Sequence, residues 1–229
     1  MIFLKEIDNK IYKGLRLCKA ELSDYCKVFA FLDGCRNALE KIEFFYPYTE
    51  EELKAVLDKG HFMCALDGEE IVATCAVDLD KNYAVQLADV IRSSSGGNVD
   101  VDEAYEASGL MVREDHRGAG LASYMLSEAV KYADSLGIDL CGVVYYLNKA
   151  SIATFFGRHF LLSGIFEPIN GYKFVYLLKK FNFLCSNAQR YDKIDIKELG
   201  EQKAALLKGL QGFALDGDTV LYSEMGRKA

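Results

Sequence analysis

The sequence predicts a mixed α/β fold, α+β in the sense that its sheet is mostly antiparallel, with one central parallel strand pair. Three stretches predict it. Over 105–147, a strand at Tyr105–Val112 runs into a glycine-bearing turn. An amphipathic helix over Gly120–Leu136 follows, then a nearly unbroken apolar strand at Leu140–Leu147. Strand, helix, strand in that order returns the second strand parallel to the first. Second, His61–Leu66 and Ile71–Val77 flank Asp67-Gly68, a strong hairpin signal. Third, Leu161–Phe166 and Tyr172–Phe181, around Gly171, make a closing antiparallel pair.

The other elements follow in chain order. Two short extended runs lie around Lys10, and Tyr12–Cys18 alternates well enough to be the first strand. From Ala20 a helical period puts Leu22, Cys26, Phe29 and Leu32 on one face, with Gly34 as a plausible stop. Cys35–Tyr48 is aromatic-rich and irregular, and reads either as core or subunit contact or as part of a substrate pocket. Thr49 and Glu52 form a capping box that opens a helix with Leu53, Val56 and Leu57 inward and Gly60 closing it. His61, at a strand start, is a structural or exposed histidine, because nothing partners it at useful spacing. Residues 80–102 break the pattern with Ser93–Gly97, Asp100 and Asp102 and contain at most a helical turn or two at Val85–Ile91, so they read as a mobile loop or as a lid. Beyond Asn182, a helix within Ile196–Leu210 and a strand at Asp218–Ser223 after Asp216-Gly217 are expected.

Composition narrows the function classes. A chain of 229 residues that is 51% hydrophobic is long and apolar enough for a packed core. No apolar run reaches the roughly 18 residues of a membrane span, and Lys5, Glu6 and Asp8 interrupt any signal-peptide core, so the expected location is the cytoplasm. Seven scattered cysteines read as reduced small hydrophobes. With no Cys-x-x-Cys pair and three distant histidines, no metal site is expected. A net charge of −7 disfavours nucleic acid and anionic membrane and favours a cationic amine as partner.

The central stretch is Val112–Glu128. Glycines let the backbone approach a ligand closely, and a helix start offers unpaired N–H groups and roughly half a unit of positive charge to an anion. Spacing excludes two nucleotide motifs. A dinucleotide turn starting at Gly118 and Gly120 would need a third glycine where Ser123 stands, and no Gly-Lys-Ser/Thr occurs for a Walker loop. Arg117, Gly120 and Ala122 instead match the Arg-x-x-Gly-x-Ala pattern of the GNAT superfamily of acyl-CoA-dependent N-acyltransferases. Asn148, Ser151, Phe155, His159 and Phe160 fall in register with that family's second segment, departing from it at Phe155, usually tyrosine, and at His159, usually glycine. The chain resembles the family over about residues 12–181.

The resemblance implies a twisted sheet with helices on both faces and its parallel pair splayed around a coenzyme A site. It also implies acetyl-CoA as co-substrate and an acceptor site under Cys35–Tyr48. Residues 1–181 would be the catalytic domain, and 182–229 an extension packed on it or on a partner subunit; homodimerisation stays open. The backbone of Leu110, Met111 and Val112 with Arg117, Gly118, Ala119, Gly120, Leu121 and Ala122 would hold the pantetheine arm and pyrophosphate. Phe155 would border the cofactor. Asn148 and Ser151 would hydrogen-bond the pantetheine or the 3′ end, unless Asn148 only caps its helix.

The chemistry is acetyl transfer to an amine. An amine of pKa near 10.4 must lose its proton, which costs about 4.6 kcal/mol at pH 7, so a base matters; a thiol leaving group near pKa 8.5 needs an acid less. Glu106 is the only carboxylate inside the strand leading to the cradle and is the candidate base, or else faces solvent at the strand start; Glu103 is a weaker candidate. Phe155 has no proton to give where the family's tyrosine is read as the acid. Either Tyr145 or Tyr146 donates instead, or no acid is needed, or the protein is a non-catalytic acyl-CoA-binding sensor or subunit.

Overall fold

The computed structural model describes residues 1–7, 12–166, 173–179 and 191–224. The strands are β1 (Ile2–Glu6), β2 (Arg16–Lys19), β3 (His61–Asp67), β4 (Glu70–Val77), β5 (Tyr105–Val112), β6 (Leu140–Tyr145), β7 (Leu161–Phe166), β8 (Phe174–Lys179), β9 (Asp192–Asp195), β10 (Leu210–Asp216) and β11 (Thr219–Glu224). The helices are α1 (Tyr25–Asn37), α2 (Glu50–Lys59), α3 (Lys81–Ser94), α4 (Leu121–Leu136), α5 (Lys149–Phe156) and α6 (Leu199–Leu207). The fold is mixed α/β and its strand pairing is mostly antiparallel, with a parallel pair included. Among the described residues no helix is long and apolar enough to cross a membrane.

The chain divides into two compact units. The first comprises residues 1–80 and 106–132. Its strands run β1-β2-β3-β4-β5, each antiparallel to the next. Alternation along β3 sends Phe62, Cys64 and Leu66 to one face, where they pack with Val28, Leu32 and Cys35 of α1 and Leu53, Val56 and Leu57 of α2. His61 points to the other face and stacks on Tyr132 of α4, ring centroids 3.8 Å apart. The Thr49 and Glu52 capping box is present with both bonds, and Gly60 closes α2 as expected.

Two expectations for this unit are corrected. Helix α1 buries Val28, Leu32 and Cys35 and leaves Leu22, Cys26 and Phe29 exposed. A separate 3-10 turn at Leu22–Asp24 shifts the helical phase, and Gly34 stays helical inside α1 rather than stopping it. The first strand is β1, and β2 begins at Arg16 because Tyr12–Leu15 is a turn, with Gly14 at φ 91° and the Leu15 amide donating to the Tyr12 carbonyl. Of the two extended runs expected around Lys10 within residues 1–18, the first is β1 and the second is shortened to β2; residues 8–11 between them lie outside the described residues.

The second unit comprises residues 81–105 and 133–229, with strand order β6-β8-β7-β10-β11-β9 and antiparallel neighbours throughout. Here 81–94 is a regular helix rather than a loop or lid. Ala84, Leu87, Ala88 and Ile91 of α3 are buried at i, i+3, i+4 and i+7, a stripe half made of alanine and so weak in sequence. Gly97 closes it in the left-handed region, its N–H bonded to the Arg92 carbonyl. The helix expected within Ile196–Leu210 is the shorter α6, and the Asp216-Gly217 turn joins β10 to β11 as expected. The pair β7 and β8 is antiparallel as read, while its connection around Gly171 lies outside the described residues.

Candidate active site

In the first unit the site is built where β5 ends. Opposite Cys75 on β4, between the pairs Thr74 with Met111 and Ala76 with Ser108, β5 carries two residues, Gly109 and Leu110. This bulge bends the strand. Gly109 takes φ 58°, and the Thr74 hydroxyl donates to its carbonyl at 2.7 Å. A Cβ on Gly109 would lie 2.9 Å from the Tyr48 hydroxyl oxygen, so glycine is required both for its backbone angle and for the approach of Tyr48. Met111 and Val112 resume the ladder opposite Thr74 and Ala73.

The turn after β5 is fixed by charge. Arg113 bonds Asp115 and Glu70, and Asp115 also takes the His116 Nδ1. Arg113 first, then His116, hold the Asp115 carboxyl down at about 2. Arg117 folds back so that its Nε donates to the Val112 carbonyl at 3.0 Å, and its two terminal nitrogens have no protein acceptor among the described residues. Gly118 and Gly120 follow with φ 79° and 86°, and a Cβ on Gly118 would meet nothing within 4 Å. Leu121, buried, begins α4, and the Tyr124 amide makes a helical bond to the Gly120 carbonyl. The amides of Gly118, Ala119 and Gly120 have no hydrogen-bond acceptor among the described residues. Open space over a left-handed glycine, free amides at a helix start and an arginine with spare donors fit a pyrophosphate.

Three polar groups stand at the other end of β5. Glu106 is half-buried, and its carbonyl accepts from the Asp78 amide at 2.9 Å. Tyr48 donates to the Ser108 hydroxyl at 2.6 Å. Its phenol is raised well above its ordinary value by burial first, and then by the negative field of Glu106 and, more weakly, Asp78. Burial also raises the Asp78 carboxyl, against the opposing hydrogen bond from the Asp80 amide. Tyr48 and Asp78 were missed in the sequence reading. The β4–β5 ladder, carried on from Val77 opposite Ala107, sets Asp78 beside Glu106, a pairing across α3 that no local pattern announces; Tyr48 is one of several aromatics in its stretch and carries no signal of its own. Glu103 belongs to the second unit, where it binds Lys81 and accepts from the Tyr105 hydroxyl.

In the second unit, Asn148 caps α5, its side chain accepting from the Ser151 amide at 3.1 Å. Phe155 is 2% exposed and packs edge-on against Phe160. It also lies on Gly142 of β6, where an added Cβ would fall 2.2 Å from the ring. His159 adopts φ 64°, which explains the glycine usual at that position. Tyr145 ends β6 and Tyr146 lies just beyond it. Both are half-buried, with their rings edge to face at 5.2 Å.

The family model described as Acetyltransferase (GNAT) family matches residues 29–158. No curated protein matches the chain by sequence. Among solved structures, a GNAT-family acetyltransferase from Streptococcus pneumoniae is 21% identical, with TM-score 0.53 over 73% of this chain and 99% of that one. Arabidopsis thaliana NAA60, solved with a bisubstrate analogue, is 20% identical with TM-score 0.53, covering 73% and 99%. The ribosomal-protein-alanine N-acetyltransferase of Brucella melitensis is 15% identical with TM-score 0.53, covering 72% and 99%. At these identities the structures speak for the fold, and the family model, spanning more than half of the sequence, shows that the chain belongs to the GNAT family of acetyltransferases.

Proposed function

We propose that the protein transfers an acetyl group from acetyl-CoA to a primary amine of a small molecule or a protein by direct attack. The observation that carries this is the Gly118–Gly120 turn, with left-handed glycines, amides that have no acceptor among the described residues, and open space at Gly118 ahead of α4. In this reading Arg117, Gly118, Ala119, Gly120, Leu121 and Ala122 hold the pyrophosphate, and Leu110, Met111 and Val112 line the pantetheine arm. By the family resemblance, Asn148 and Ser151 hydrogen-bond the pantetheine or the 3′ end, and Phe155 borders the cofactor. A protein amine stays in scope because one similar structure is named for an alanine of a ribosomal protein.

The amine nitrogen attacks the thioester carbonyl, the C–S bond breaks, and the amine proton passes to a base. Glu106 is assigned that role, with Asp78 beside it. A carboxyl raised by burial is a better proton acceptor than a solvated one, which is the physical case for Asp78. The departing sulfur takes a proton from Tyr145 or Tyr146, or from water. Residues 1–181 carry this chemistry. The ion pair between Lys149, at the start of α5, and Asp218 of the β10–β11 turn supports an extension packed on the domain.

Incubation of the protein with acetyl-CoA and a panel of polyamines, amino acids, aminoglycosides and peptides, read by release of free thiol, tests the reaction. Acceptor-dependent thiol release is expected. Tight acetyl-CoA binding with no release across the panel would leave only a binding role.

A further inference from the structure

One side chain far from the motif in sequence touches the cradle. Tyr12, in the turn before β2, is 7% exposed, and its hydroxyl donates to the carbonyl of Ala119, between the two left-handed glycines. The same oxygen would stand 3.1 Å from a Cβ on Gly120, and the Tyr12 ring lies 6.2 Å from that of Tyr124 in the first turn of α4. Tyr12 is itself held from behind, since its carbonyl accepts from the Leu15 amide and the Leu15 carbonyl from the Ile7 amide. Burial raises its phenol above the ordinary value, so it stays a donor throughout the neutral range.

The geometry of a peptide gives this contact a direction. In a trans peptide plane the C=O of one residue and the N–H of the next point opposite ways. Fixing the Ala119 carbonyl on Tyr12 therefore turns the Gly120 N–H away from Tyr12. That N–H has no acceptor among the described residues. The plane joins Ala119 to Gly120, and the freedom of Gly120 in φ makes it easy to flip if it is not held.

We infer that Tyr12 is a positioning residue for phosphate recognition: by anchoring the Ala119 carbonyl it aims the Gly120 amide at the pyrophosphate of acetyl-CoA. The inference rests on the coenzyme A reading of the cradle. In place of a preset donor, Tyr12→Phe leaves a peptide that must be ordered when ligand binds, and affinity falls by about one hydrogen bond's worth, roughly three- to tenfold.

The test is calorimetric titration of the full chain with acetyl-CoA for the wild type, Tyr12→Phe and Gly120→Glu. Tyr12→Phe is expected to raise Kd three- to tenfold with the binding stoichiometry unchanged. A general folding defect would instead lower the stoichiometry, the fraction of competent protein, and leave Kd alone. If Gly120→Glu abolishes binding while Tyr12→Phe keeps the wild-type Kd, or loses only stoichiometry, the positioning role is overturned and the cradle stands. If Gly120→Glu keeps the wild-type Kd, the coenzyme A reading itself fails.

Discussion

His61 offers a perturbation whose size follows from the structure. Its ring is stacked on Tyr132 at 3.8 Å with an interplanar angle of 13°. Burial first, and Lys19 second, lower its pKa from 6.5 to about 4. In the unfolded chain the same ring takes up its proton near pH 6.5, so between pH 6.5 and 4 the unfolded state binds the proton that the folded state refuses. Linkage then requires stability to fall as pH drops through that window, with no contribution above it and no further loss below it. A separation of about 2.5 units corresponds to at most about 3 kcal/mol, and solvent screening of the partly open ring brings the expected loss to about 1–3 kcal/mol. Urea unfolding of the wild type and of His61→Phe, which keeps a ring on Tyr132, isolates the effect from all other titrating groups. The difference between the two should be flat from pH 8 to 7 and shift by about 1–3 kcal/mol in favour of the variant by pH 4.5. A difference that does not change with pH would refute the neutral, half-buried His61.

Three further predictions concern the site and its supports. His159 holds φ 64°, so His159→Gly should stabilise the fold by about 0.5–1 kcal/mol after the added freedom of the unfolded chain is counted, measured by urea midpoint; a loss of stability would show that contacts of the His159 side chain outweigh its strain. Gly142→Ala would put a Cβ 2.2 Å from the Phe155 ring and should cost about 1–3 kcal/mol, whereas a neutral effect would mean the ring can leave β6 freely. Glu106→Gln and Asp78→Asn should separate the two carboxylates: loss of the base lowers kcat/KM by about 10²-fold or more at pH 7, less as pH approaches the amine's own pKa. Activity retained in Glu106→Gln across pH 6–9 removes Glu106 from the mechanism.

Local signals that repeat in sequence were legible. The capping box at Thr49 and Glu52, the Asp67-Gly68 hairpin and the Gly60 stop after α2 each involve residues a few positions apart whose chemistry demands one geometry. The phase of α1 was not legible, because Leu22, Cys26 and Phe29 are as periodic as Val28, Leu32 and Cys35, and only the sheet beneath decides which stripe is buried. Helix α3 shows in the sequence only as a turn or two at Val85–Ile91, because alanines supply half of its buried stripe. Within the candidate site, Arg117, Gly118 and Gly120 stand out in the sequence, since a left-handed turn ahead of a helix constrains the residue types. Tyr12, Tyr48 and Asp78 do not, because each makes its contact through strand register or chain reversal, and nothing in its immediate neighbours marks it.

The central claim is that the Gly118–Gly120 turn is a pyrophosphate cradle, and Gly120→Glu tests it most directly. Glutamate there must adopt φ 86°, crowd the Tyr12 hydroxyl and set a negative charge among amides meant for an anion. Titration with acetyl-CoA should show saturable binding to the wild type and none to the variant, with both chains folded by circular dichroism. Equal affinity in the two proteins would contradict the account.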